Sequence, residues 1–239
     1  MNEKIIVALD LRGFDNILRV VDSLKQAVWF KVGAVNFTAY GIRLIEELKN
    51  RGKKVFLDLK YHDIPNTVKG AVYEAAHMGV DMLTIHSIGG CAMMKAAADA
   101  VREFEEKEGK KGPMILAVTV LTSMDESSLK NDMFINDSVE NTVLRLAQNA
   151  MKSSINGLVA SAKETVMLRE KFGDYFTIVT PGIRPSWASK QDQKRVTTPS
   201  DAIRFGSNYM VIGRPIYEAV DPAEAFEKIR KEIEDVDAR

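Results

Sequence analysis

The chain has 239 residues, 46% of them hydrophobic, and its 33 Lys and Arg balance 33 Asp and Glu to a formal net charge of zero. That balance supplies no basic surface for nucleic acid and no acidic tail, and no apolar run approaches the ~18 residues of a membrane span. The single cysteine, Cys91, excludes an internal disulfide and a zinc cluster built from thiolates. The length suits one domain over residues 1–239, since α/β barrels commonly run about 200–250 residues. Zero net charge favours a specific oligomer, because nothing holds monomers apart. The chain opens into a strand, without a charged region followed by an apolar segment and a cleavage site, so a cytoplasmic location is expected.

Strand one is predicted over Lys4–Leu9 and ends at Asp10. Asp15 is expected to cap a helix that carries Ile17, Val20, Val21 and Leu24 on one face. Strand two, Val28–Val32, sets Lys31 between Phe30 and Val32 and stops at Gly33. The helix Asn36–Asn50 carries Ile42, Leu44, Ile45 and Leu48, and Gly52 ends it.

Strand three, Lys53–Leu57, runs into Asp58. Alternate side chains of a strand share a face. Phe56, Asp58 and Lys60 therefore lie on one face and Val55, Leu57 and Leu59 on the other. A carboxylate and an ammonium closing an apolar face are costly unless used or paired. Asp63 adds a second carboxylate where the strand gives way to a loop. Ile64 precedes a proline and is held extended. Pro65 opens a helix that continues through Val68, Val72, Ala75 and Ala76 to about Met78, with Gly79 as its stop.

Strand four is Met82–His86, followed by Gly89 and Gly90 and by an alanine-rich helix from Cys91 to about Lys107. Strand five is Met114–Val120, then a long polar loop and the helix Val139–Met151. Strand six is Gly157–Ala160. Ser161 and Glu164 form a capping box at the next helix. Strand seven is Phe176–Thr180. The polar stretch Ser186–Thr198 has no apolar period, and loops of this length in compact domains are usually functional. A short helix follows at Asp201–Phe205, then strand eight, Tyr209–Ile212. Asp221 caps the last helix and Pro222 fills its first turn.

Eight strand–helix units with near-continuous apolar strands predict an α/β fold, a (β/α)8 TIM barrel. An open doubly wound sheet is the alternative, but no Gly-x-Gly-x-x-Gly follows strand one. Active sites of α/β barrels sit at the carboxyl ends of the strands. Those ends carry Asp10, Lys31, Asp58 with Lys60 and Asp63, His86, Thr122 with Ser123, Pro181 with Arg184, and Gly213 with Arg214. The loops after strands seven and eight are the usual phosphate site of barrels. Arg184 and Arg214 fall on them, and guanidinium matches phosphate oxygens in pairs. His86 reads as a packing residue, and His62 and His77 have no partner at metal-ligand spacing. Asp58 and Asp63 have the chemistry to hold Mg²⁺, but Lys60 already supplies their countercharge.

At these residues the sequence resembles the bacterial type of the orotidine 5′-monophosphate decarboxylase family. The signature reads Asp58-Leu59-Lys60-Tyr61-His62-Asp63-Ile64-Pro65-Asn66-Thr67. Val7-Ala8-Leu9-Asp10, Phe30-Lys31-Val32-Gly33, Thr180-Pro181-Gly182-Ile183-Arg184 and Ile212-Gly213-Arg214-Pro215 extend the likeness over essentially the whole chain. The resemblance implies the last step of uridine 5′-monophosphate synthesis, with Lys60 as proton donor to C6 and Asp58 and Asp63 keeping it charged. It implies that Asp10 and Lys31 bind the ribose and that Thr122 and the Ser123 region approach the pyrimidine. Pro181 also borders the substrate, and Gln193 reaches the nucleotide from a lid. Gly213 and Arg214 hold the phosphate, and Arg184 closes over it. It further implies a homodimer in which Asp63, Ile64 and Thr67 reach the neighbouring subunit's site, and no metal or organic cofactor. The Asp-x-Lys-x-x-Asp core is shared with sugar-phosphate decarboxylases and aldolases that typically need Mg²⁺. A non-catalytic barrel that binds a phosphate ligand is the third reading.

Overall fold

A computed structural model describes residues 2–188 and 197–237 of the chain. Eight parallel strands close into one barrel in chain order. They are β1 (Ile5–Ala8), β2 (Trp29–Gly33), β3 (Lys54–Tyr61), β4 (Met82–His86), β5 (Met114–Val118), β6 (Gly157–Val159), β7 (Thr177–Thr180) and β8 (Tyr209–Ile212). Closure pairs β1 with β8, Ile5 opposite Met210 and Val7 opposite Ile212. The helices are α1 (Phe14–Ser23), α2 (Ala34–Tyr40), α3 (Ile42–Asn50), α4 (Pro65–His77), α5 (Gly90–Glu108), α6 (Glu126–Asn131), α7 (Val139–Lys152), α8 (Ala162–Phe172), α9 (Pro199–Arg204), α10 (Arg214–Tyr217) and α11 (Pro222–Asp237).

The period-two pattern of the strands divides the core into two parts. Outward residues such as Val7, Phe30, Val55, Leu57 and Leu83 pack with the helices in one large cluster, and Leu59 lies against it. Inward residues Ile6, Trp29, Phe56, Met82, Leu116 and Val179 form a separate plug inside the barrel. Phe30 is fully buried. Truncating such a side chain to Ala costs about 3–5 kcal/mol.

Several helix ends follow from local chemistry. Ser161 Oγ accepts from the Glu164 amide while Glu164 returns a bond to the Ser161 amide, which completes the expected capping box. Pro65 stands in the first turn of α4. The Asp221 carboxylate accepts from the Ala223 and Glu224 amides at 2.9 and 3.1 Å.

Other boundaries differ from the sequence expectation. Gly13 holds the N-cap position of α1, and Asp15 sits inside its first turn, where its charge meets the helix dipole. The helix expected over Asn36–Asn50 is two helices, α2 and α3. Gly41 separates them at φ 55°, a conformation that glycine adopts freely. Ile42 is half-exposed at this break rather than in the core. The polar loop after β5 contains α6, capped by Asp125 onto the Ser128 amide.

Candidate active site

The inner face of the barrel changes character along the strand direction. Two residues beyond the plug, Trp29 gives way to Lys31, Phe56 to Asp58 and Met82 to Thr84. Two further on stand Gly33, Lys60 and His86. An apolar floor therefore carries a polar, charged layer at the carboxyl ends of β2, β3 and β4. Lys31, Phe56, Asp58, Lys60, Thr122 and Pro181 line one 160 Å³ cavity there. A larger cavity of 880 Å³ lies at the opposite end, against Trp29, Lys54, Met82, Met114 and Tyr209. Reactive groups gather at the smaller one, as strand polarity in barrels requires.

Four charges alternate in sign across three strands. Lys31 Nζ lies 3.1 Å from Asp10 Oδ1 and 3.5 Å from Asp58 Oδ2. Lys60 Nζ donates to Asp58 Oδ1 at 2.8 Å. Asp58 and Lys31 are nearly closed to water, while the Lys60 side chain keeps 37% of its surface exposed. Burial opposes the ionised form of Asp58. Lys31 and Lys60, with hydrogen bonds from Lys60 and Thr84, outweigh it and hold the carboxyl below its ordinary range. Asp58 is thus a fixed anion with both oxygens engaged by ammonium groups, and Lys60 is the cation at the open end.

The backbone turns Lys60 into this position. Register runs from Leu57 opposite Leu83 to Tyr61 opposite Ile85, so four steps of β3 face two of β4. The bulge puts Lys60 at φ 52°, in the left-handed region that L-residues seldom occupy. Its amide donates to Thr84 Oγ1 at 2.8 Å.

Asp63 is brought to the same rim but not to Lys60. It is exposed, and its Oδ1 accepts from the Ile64 amide at 2.6 Å. Ile64 and Thr67 are exposed beside it, Ile64 at 67%. Within one chain the Asp58–Lys60–Asp63 array is therefore a pair, with the third member on the surface. Thr122 and Ser123 are exposed at the end of β5. Arg184 is buried and Arg214 half-buried, and both line a cleft of 180 Å³ with Trp187 and Pro215. Gly213 begins the turn of α10. Gln193 lies outside the described residues, as does most of the polar stretch around it.

Three contributors were given no role in the site from the sequence. Gly33 leaves room for the ion pair, since a Cβ there would stand 3.0 Å from Lys31 Nζ and 3.2 Å from Asp10 Oδ1. Asn36, buried on α2, donates to the carbonyls of Leu9 and Leu11 and so clamps the backbone on both sides of Asp10. Thr84, fully buried, joins Lys60 to Asp58. Each would be found by extending the inward alternation one layer, or by asking what fixes Asp10.

The chain is similar to known proteins along nearly all its length. The model of a family described as orotidine 5′-phosphate decarboxylase / HUMPS matches residues 3–229. An orotidine 5′-phosphate decarboxylase of Nostoc is 45% identical over 232 residues, covering 97% of this chain and 98% of that protein. One of Moorella thermoacetica is 48% identical over 233 residues, covering 97% of this chain and 92% of its own. The crystal structure of orotidine 5′-phosphate decarboxylase from Lactobacillus acidophilus superposes with a TM-score of 0.85 at 39% identity, covering 96% of this chain and 98% of that one.

Proposed function

The chain belongs to the orotidine 5′-phosphate decarboxylase / HUMPS family, and we propose that it converts orotidine 5′-monophosphate to uridine 5′-monophosphate, the last step of pyrimidine nucleotide synthesis. The observation that carries this reading is the Asp10–Lys31–Asp58–Lys60 chain, which presents one ammonium at the mouth of the barrel.

Loss of CO₂ breaks the bond from C6 to the carboxylate and leaves the electron pair on C6. The ring offers no neighbouring sink for it. The Lys60 ammonium, fixed before the reaction by Asp58, stabilises that charge and then gives C6 its proton. Preorganised charge of this kind costs no reorganisation during the step. Asp58 faces the leaving carboxylate, and its crowding there adds a smaller contribution. Asp10 and Lys31 take the ribose hydroxyls, and Thr122, Ser123 and Pro181 border the pyrimidine. Arg214 and the Gly213 amide hold the phosphate, Arg184 covers it, and Gln193 reaches the nucleotide from the intervening segment. Phosphate binding far from C6 then supplies energy to assemble the site.

The proposed reaction uses no metal or organic cofactor. Both Asp58 oxygens already face ammonium groups at 2.8 and 3.5 Å, which leaves a divalent cation repelled rather than coordinated. The exposed Asp63, Ile64 and Thr67 suit a homodimer in which they complete the neighbouring subunit's site. Val35, 73% exposed in the first turn of α2, adds further exposed apolar surface. Among the described residues no helix is long and apolar enough to cross a membrane, and a cytoplasmic location belongs to the same reading.

The test is decarboxylation of orotidine 5′-monophosphate by the purified protein, followed by ultraviolet absorbance in excess EDTA. Turnover under chelation supports the substrate and the metal independence together. Activity found only on a sugar phosphate with Mg²⁺ would overturn both.

A further inference from the structure

A lysine that must deliver a proton to one carbon has to be held in place, yet Lys60 sits on a long flexible stem at a bulge. Its backbone is left-handed where the register with β4 shifts, and its amide donates to a side chain. One fully buried hydroxyl addresses both problems. Thr84 Oγ1 accepts from the Lys60 amide at 2.8 Å and lies 3.0 Å from Asp58 Oδ1. The directions are forced. An amide only donates and a carboxylate only accepts, so the Thr84 proton goes to Asp58. Asp58 Oδ1 also accepts from Lys60 Nζ at 2.8 Å. A closed ring results, running from the Lys60 amide through the Thr84 hydroxyl and the Asp58 carboxylate back to the Lys60 ammonium. Thr84 is β-branched and packed without exposure, so its hydroxyl has few rotamers to choose from.

We propose that Thr84 is a positioning residue for this chemistry, fixing the left-handed Lys60 backbone and the Asp58 carboxylate with one hydroxyl while touching no substrate. This rests on the reading of Lys60 as the proton donor. It goes further by naming the group on a neighbouring strand that sets the donor's location. Without the hydroxyl the Lys60 amide lacks its partner and the bulge can relax toward ordinary strand geometry, which moves Nζ. Asp58 also loses one of the donors that hold it anionic.

The experiment compares wild type with Thr84→Val, which keeps the shape, and Thr84→Ser, which keeps the hydroxyl. Uridine 5′-monophosphate binding by calorimetry counts folded sites, and kcat is expressed per such site. Loss of the hydrogen-bond partner that orients a metal ligand typically costs roughly 10–100-fold in activity, and Thr84 orients Lys60 and Asp58 in the same way. Thr84→Val is expected to lose kcat on that scale, with product affinity changed only a few-fold, and Thr84→Ser to recover most of it. An unchanged kcat per site in Thr84→Val, or equal impairment in Thr84→Ser, overturns the proposal. Hydrogen exchange of the Lys60 amide, followed by NMR, reads the same contact without any substrate. Exchange should accelerate in Thr84→Val and not in Thr84→Ser, and unchanged protection overturns the proposal. Should Thr84→Val not fold, Thr84→Ala replaces it in both measurements. If wild type itself fails to decarboxylate orotidine 5′-monophosphate, the functional reading falls, while the exchange result still decides whether Thr84 holds the bulge.

Discussion

Lys60 and Asp58 stand two residues apart on β3, and Lys60 Nζ donates to Asp58 Oδ1 at 2.8 Å. Neighbours at this spacing share a strand face, so the pair is local in sequence: Asp58 follows Phe56 inward, and the bulge sets the backbone of Lys60 beyond it. Asp58→Asn keeps the shape and removes the charge, leaving Lys31 and Lys60 facing each other without an anion between them. It should lower kcat by at least about 100-fold, the scale of losing one preorganised electrostatic contact. Steady-state kinetics on orotidine 5′-monophosphate measure this directly, and a loss below tenfold would remove Asp58 from the catalytic pair.

His86 ends β4 with its ring 5.6 Å from that of His62. Its Nδ1 is buried without a hydrogen-bond partner among the described residues. Burial, then His62 and Lys60, push its pKa below the ordinary 6.5. A base so depressed binds fewer protons folded than unfolded. The stability it contributes is present above pH 6.5 and is lost as pH falls from there through the folded value. One such group gives a slope of at most about 1.4 kcal/mol per pH unit. Urea unfolding of wild type between pH 7.5 and 5 should show stability falling with pH, and His86→Gln should flatten the curve. Identical slopes would show that other groups set it.

Asp63 is exposed in its own chain and accepts from the Ile64 amide at 2.6 Å. If it completes a neighbour's site, Lys60→Ala and Asp63→Ala proteins are each inactive alone. After subunits exchange in a mixture, half of the dimers hold one of each, and each of these carries one intact site. Activity should then recover to about a quarter of wild type in a two-fold symmetric dimer. No recovery, with exchange demonstrated, would assign Asp63 to its own chain.

Arg214 and Arg184 line one cleft beside the barrel mouth. Arg214→Ala should raise KM for the nucleotide roughly 10–100-fold, the size of a lost charged hydrogen-bond pair. It should lower kcat as well, since phosphate binding also assembles the site. Unchanged kinetics would take Arg214 out of the phosphate site.

The barrel was legible because its strands are short apolar runs at even spacing. Met82–His86 and Tyr209–Ile212 match their expected bounds residue for residue. Asp10, Lys31, Asp58 and Lys60 were legible for a related reason, since charges at the ends of apolar strands have to be paired or used. The bulge in β3 left no mark, because neither Lys60 nor Leu59 is a glycine and the left-handed turn is imposed from outside by Thr84. Thr84 was hidden as well. A threonine inside Met82–His86 reads as an ordinary β-branched strand residue until the inward alternation is followed past Met82. The split between α2 and α3 at Gly41 was hidden by an apolar period that continues across it. The place of Asp63 in a completed site needs a second chain, which one sequence does not contain.

Proton delivery by Lys60 is tested by Lys60→Ala. Wild type and Lys60→Ala are compared for decarboxylation of orotidine 5′-monophosphate under EDTA, with uridine 5′-monophosphate binding measured on both. Turnover should be abolished in Lys60→Ala while product binding remains detectable, because Asp10, Lys31 and the cleft of Arg184 and Arg214 are intact. Substantial decarboxylation by Lys60→Ala, with wild type active in the same assay, would contradict proton delivery by Lys60.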